Sequence, residues 1–280
     1  MVHVEIAAER LFQLGPLIFT NSMLGALLAS LLLLVAARFF APGPALVPTR
    51  AQGIVELPIE WLAGIVRVTG GKRWREFVAL VVVIFLFVLV ANWLSLLPGI
   101  GTVGFYEEVG GKRVLVPFVR AAAADLNMTL GLAIVSFVSF IAFGIRANGL
   151  RGYLRETLVA EPAYMTPLLT PIHVISELSR LVSLSMRLFG NVFAGEVLLA
   201  TMLSLTTAAI FTLPLAFFVP GIFLGLELLF GLVQALVFAL LSMTYITLAI
   251  AEDRQHEPAD NHHTGETPAP TTADPAHGAA

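Results

Sequence analysis

The chain has 280 residues, 58% hydrophobic and 12% charged, against about 25% charged for an ordinary soluble domain. That composition identifies an integral membrane protein. A formal net charge of −3 supplies no basic field for nucleic acid, and the absence of cysteine excludes a disulfide framework, a thiolate metal site and a cysteine nucleophile.

Uncharged runs extend from Leu11 to Ala37, Phe77 to Tyr106, Leu126 to Ile145, Val197 to Leu226 and Leu228 to Ala251. Each supplies the ~20 residues needed to cross a bilayer. They are apolar on every face, unlike the alternating ~10-residue strands of a membrane barrel. The expected fold is an all-α integral membrane protein with about five transmembrane helices, near 17–40, 74–98, 126–147, 166–211 and 213–251. Glu5, Glu9 and Arg10 precede the first run in place of a positive n-region, so it reads as a retained helix and not a cleaved signal peptide.

The connection at 46–70 reads as an interfacial amphipathic helix. Ile54, Trp61, Leu62 and Ile65 can share one face and Glu56, Glu60 and Arg67 another, with Pro58 expected to break or restart it. Pro98-Gly99 stops the second span, and Asn92-Trp93 just before it reads as an interfacial anchor. Pro214 separates the last two spans, which exceed a perpendicular crossing and are therefore expected to tilt or bend. From Glu252 the sequence turns to Pro, Thr, Asp, Ala and His without periodicity, a composition that cannot bury enough apolar surface to fold. The expected organisation is one membrane domain, residues 1–252, and a disordered cytoplasmic tail, 253–280. His256, His262 and His263 read as part of a solvated tail, with a metal tract as the competing interpretation. No cofactor signature is present, and no clear internal repeat supports a transporter built from symmetric halves.

Orientation follows from the basic residues. With the N-terminus outside, Arg38, Arg50, Arg67, Lys72, Arg73, Arg75, Arg146, Arg151, Arg155 and Arg254 lie inside, while Arg10, Lys112, Arg113 and Arg120 lie outside. Ten against four favours N-out, C-in.

The informative stretch is 167–199. A charged residue at membrane depth costs about 2.5–3.5 kcal/mol on insertion scales, so each is a functional candidate. His173, Glu177, Arg180, Ser183, Arg187 and Asn191 recur every three or four residues and share one side of a helix. Glu177 and Arg180, at i and i+3, are equally readable as a structural ion pair. Arg187 is too deep to snorkel comfortably and has no acid at i±3 or i±4. Its guanidinium does not deprotonate, so it acts as a fixed charge that favours ionisation of any carboxylate brought near it and repels a leaking cation. A carboxylate from another subunit is the natural partner.

On the last span Glu227, Gln234 and Tyr245 are spaced by 7 and 11 and lie close to one face. If Gln234 is level with Arg187, Glu227 lies about 10 Å and Glu196 about 13 Å further out, at 1.5 Å per residue. The two acids then meet at similar depth, as relay groups or as helix-end carboxylates reaching interfacial water. Asp125, Asn127 and Thr129 open the third span and add polar groups there, Asp125 being equally readable as an N-cap.

Ser183-Leu-Ser-Met-Arg187-Leu-Phe-Gly-Asn191-Val, followed by Phe-Ala-Gly-Glu196, resembles the signature helix of subunit a of F-type rotary ATP synthases. Asn92-Trp-Leu-Ser-Leu-Leu-Pro-Gly99, Ala124-Asp-Leu-Asn127 and Gln234-Ala-Leu-Val-Phe are similar to other stretches of that subunit, in order, so the resemblance covers most of the chain. It implies a stator, without ATP chemistry of its own, beside a rotating proteolipid ring whose subunits each bear a membrane carboxylate. Protons enter by one aqueous half-channel and leave by another. It also implies a peripheral-stalk membrane subunit as partner and a bacterial plasma membrane as location. On that resemblance Arg187 is the essential arginine, flanked by Asn191 and Gln234. Glu196 and Glu227 line the outer half-channel, and His173, Glu177 and Ser183 the inner one. Some bacterial relatives carry His where this chain has Glu227. The alternative is a secondary cation transporter or channel subunit, which needs a complete relay in one chain.

Overall fold

A computed structural model describes residues 9–15, 17–40, 50–97, 100, 103–109, 112–158, 166–208 and 213–251. The expected stop at Pro98-Gly99 and the tail from Glu252, with its histidines, lie outside them. A hairpin of β1 (Arg10–Leu14) and β2 (Leu17–Thr20) leads into α1 (Asn21–Phe40). There follow α2 (Arg50–Thr69) and α3 (Trp74–Ser95), then a second hairpin of β3 (Gly104–Val109) and β4 (Lys112–Pro117). Three helices complete the chain: α4 (Leu126–Leu158), α5 (Thr166–Ala208) and α6 (Leu213–Ala251). Among the described residues five helices, all but α2, are long and apolar enough to cross a membrane. The protein is a multi-pass helical membrane protein.

The departures from expectation are local. Residues 17–20 are strand, so the first helix begins at Asn21. There the Thr20 hydroxyl accepts from the backbone N–H of Met23, a side-chain N-cap. Neither hairpin was anticipated. The third helix continues past 147 to Leu158, but its helical geometry is interrupted at Gly149, whose φ of 72° lies in the region glycine tolerates. Pro58 neither breaks nor restarts α2, which runs through it. Leu62 and Val66, both buried, pack that helix in one core cluster with Phe77 and Val81 of α3, and this packing holds the turns after the proline. Leu62 and Ile65, expected on one face, both turn to this core, whereas Trp61 is 54% exposed.

α6 packs against α3, α4 and α5, and α1 packs against α3. The shared core holds Phe77, Val88, Leu188, Phe238 and Ile246. Both hairpins, the start of α4, the end of α5 and the start of α6 lie at one end of the bundle, called here the hairpin end. Ala121–Ala124, all buried, bring the segment before α4 against α1, α3 and α5 there.

Candidate functional site

The helical period divides α5 into two faces. Leu184, Ser185, Leu188 and Val192 are buried against the bundle, whereas Ser183, Arg187 and Asn191 lie on the exposed side. Arg187 forms no hydrogen bond or ion pair among the described residues. A permanent cation therefore stands on the exposed surface of a span, where a second chain can reach it and no described residue neutralises it.

One turn toward the hairpin end, Asn191 Nδ2 donates to Gln234 Oε1 at 2.6 Å. Gln234 on α6 thus reaches Asn191, one turn along α5 from Arg187. Next to this bond opens a cleft of about 380 Å³ between α3, α5 and α6. Asn92, Ser95, Asn191, Gly195, Glu227 and Gln234 supply polar groups or backbone to its wall. Buried Asn92 Oδ1 and Gln234 Nε2 have no partner among the described residues, and the cleft that these two residues line has room for several waters.

The two acids occupy different surroundings. Glu227 lines the cleft, and its carboxyl lies so close to Gly195 that a Cβ at that position would overlap it. Glu196, the next residue, is paired with Arg120: Nε donates to Oε2 at 3.1 Å and Nη2 lies 3.1 Å from the same oxygen. Asp125 Oδ1 accepts from the backbone N–H of Asn127 at 2.9 Å, the N-cap geometry of α4, and Oδ2 accepts from Ser22 Oγ at 2.6 Å, which ties α4 to α1. Asp125 is buried and the Asn127 side chain exposed; neither lines the cleft.

At the opposite end Glu177 lies between Arg180, at 2.7 Å, and His173, at 3.8 Å. The Arg180 guanidinium stands 5.4 Å over the Tyr245 ring, so this cluster joins α5 to α6 on the side away from the hairpins. Arg187 separates the two polar regions along α5.

Four contributors escaped sequence reasoning. Arg120 counted only as an outer cation, although the four buried alanines after it mark a segment small enough to press into the bundle. Asn92 and Trp93 read as interfacial, yet Asn92 Nδ2 donates to the Gly231 carbonyl at 3.3 Å and Trp93 Nε1 to the Leu228 carbonyl at 3.1 Å, clasping α6. Gly195 carries no chemistry of its own and leaves no trace in a search for polar groups.

Comparison with known proteins gives the family. The profile of the family described as ATP synthase A chain matches residues 19–247. The chain is 32% identical to ATP synthase subunit a of Moorella thermoacetica, over 88% of this chain and 97% of the relative. It is 34% identical to ATP synthase subunit a of Mycobacterium marinum, over 87% and 92% respectively. With that of Gloeobacter violaceus it shares 32% identity over 90% and 93%. A match this long takes in α5 with Arg187, the cleft and α6 together, and the chain belongs to the ATP synthase A chain family.

Proposed function

We infer that this chain is the membrane stator of a rotary ATP synthase, passing protons to and from carboxylates on a rotating proteolipid ring and so coupling proton flow to ATP synthesis. The observation that carries the reading is Arg187, on the exposed face of a membrane helix and unpaired among the described residues. Because a guanidinium stays charged, Arg187 cannot hand on a proton. It stabilises the ionised form of a ring carboxylate that comes to face it, so the carboxylate releases its proton on one side and is reloaded on the other. The same charge repels a proton from passing straight through. The hairpin-end cleft with Glu227, Gln234 and Asn191 supplies one aqueous route, and His173, Glu177 and Ser183, with Tyr245, the other. A self-contained transporter is disfavoured because the central charge cannot titrate.

The reading places the chain in a bacterial plasma membrane, as one membrane domain over 1–252 with the tail 253–280 in the cytoplasm. Its partners are the ring, a peripheral-stalk membrane subunit and the bilayer. Purification of the chain under mild detergent should bring with it a two-helix proteolipid bearing one mid-membrane Asp or Glu, and the complex should drive proton uptake into liposomes on addition of ATP. Recovery of the folded chain with no such partner would overturn the assignment.

The ten-to-four basic asymmetry makes the hairpin end the outer one. A cysteine replacing Lys112 on β4 should react with an impermeant maleimide from outside, and one replacing Arg151, past the Gly149 interruption, only from the cytoplasm. Reversed labelling would invert the topology and exchange the two half-channels.

A further inference from the structure

We propose that the corner where α2 turns into α3 holds an anionic phospholipid, its phosphate between Arg67 and Arg75 and an acyl chain along Ala79 and Val83. The corner lies at the end of the bundle away from the hairpins. It requires nothing of the stator reading, only that the chain sits in a bilayer.

The Arg67 guanidinium, from the last turn of α2, stands 5.8 Å over the Trp74 ring, and that of Arg75, from the first turn of α3, stands 5.5 Å over the same ring. Each contact is favourable by itself, yet two like charges gathered on one indole repel. Both side chains are exposed, and neither makes an ion pair or hydrogen bond among the described residues. Glu76, the carboxylate next in sequence, is taken by Arg73 at 3.1 Å. Two guanidiniums gathered on a shared ring, with their N–H donors unspent, suit one phosphate, which accepts from both and removes the repulsion.

A soluble phosphate needs no more than these charges, but the surface that continues from them is apolar. Between Trp74 and Val83 the exposed side chains of α3 are Arg75, Glu76, Ala79 and Val83. Ala79 and Val83 follow Arg75 at intervals of four and so continue its face of the helix. Val83 lies about 12 Å beyond Arg75 at 1.5 Å per residue, a depth within one leaflet of a hydrocarbon core ~30 Å thick. On α2, Val68 beside Arg67 is 86% exposed, and Trp61, two turns earlier, is an exposed aromatic of the kind that settles at the membrane interface. Charge at the head and an apolar lane below it match a phospholipid, and basic residues beside a span favour anionic over zwitterionic headgroups.

The test is photolabelling of the complete complex, reconstituted in phosphatidylcholine vesicles that carry a small share of phosphatidylglycerol with a photoreactive acyl chain. Labelling should concentrate on the first half of α3, and the corresponding phosphatidylcholine probe at equal share should label it far less. Arg67→Gln and Arg75→Gln should each lower labelling about fivefold, and the two combined should bring it to the phosphatidylcholine level. Arg151→Gln, which removes another exposed arginine at the same end, should leave it unchanged. Ala79→Trp should lower it without altering charge, by filling the lane of the acyl chain.

Equal labelling by the two probes would overturn the proposal, as would labelling that is unmoved in the combined variant. Competition by inorganic phosphate as effective as that by unlabelled phosphatidylglycerol would refute the lipid and leave a soluble-phosphate site. Loss of a partner subunit from the combined variant with labelling intact would assign the corner to a protein contact instead. If the combined variant fails to assemble, Ala79→Trp decides: reduced labelling supports the lipid and full labelling refutes it.

Discussion

Arg187→Ala is expected to abolish ATP synthesis and ATP-driven proton pumping in a complex that still assembles. Assembly survives because the side chain is exposed and bonds to nothing among the described residues, so truncation opens no cavity and leaves no partner unpaired. Function fails because the fixed charge is gone: a ring carboxylate reaching this position is no longer driven to ionise, and no barrier divides the two polar regions of α5. Passive proton leak under an imposed potential should rise. Arg187→Lys should fail as well. An ammonium is more strongly hydrated, offers no planar two-point contact to a carboxylate, and can lose its proton when desolvated. Each variant is purified with its ring, reconstituted, and assayed for flux and synthesis together. Coupled synthesis near the wild-type rate in the alanine variant would remove the role assigned to Arg187 and the main support for a stator.

Gly25→Ala is expected to destabilise the bundle by about 1–3 kcal/mol, the usual cost of inserting a methyl group into a packed region. A Cβ at Gly25 of α1 would collide with the Arg120 carbonyl oxygen and approach its carbonyl carbon to 3.5 Å and the Ala122 nitrogen to 3.6 Å. All three atoms are backbone, so no rotamer change relieves the contact and either α1 or the segment before α4 must move. Gly64→Ala on α2 is the matched control: nothing lies within 4 Å of its Cβ position, and alanine is the better helix former. Unfolding midpoints of the purified complex should drop for Gly25→Ala and hold or rise slightly for Gly64→Ala. Equal behaviour of the two would mean that α1 does not press on the Arg120 segment.

The spans were legible in the sequence because membrane insertion sums hydropathy over a local window, and so was the polar face of α5, because 3.6-residue periodicity needs no partner. The start of α1 and the extension of α4 were not, since caps and helix interruptions turn on single residues such as Thr20 and Gly149. The second hairpin did leave a signal in Gly110-Gly111 between two strand-forming runs. Its weight was lost beside the apolar stretches on either side.

The sequence by itself determined a multi-pass helical protein, an arginine in one of its spans with no acid within helical reach, and two acids bound for the same end. Only the tertiary structure decided which acid stands in the cleft and which is bound to Arg120, 76 residues away in the chain. It likewise decided that Gln234 meets Asn191 and not Arg187, and that Asn92 clasps α6. The physical reason is the same in each case: periodicity fixes the direction of a side chain around its own helix, whereas its partner depends on how helices distant in sequence cross and how closely small residues such as Gly25, Gly195 and Ala121–Ala124 let them approach.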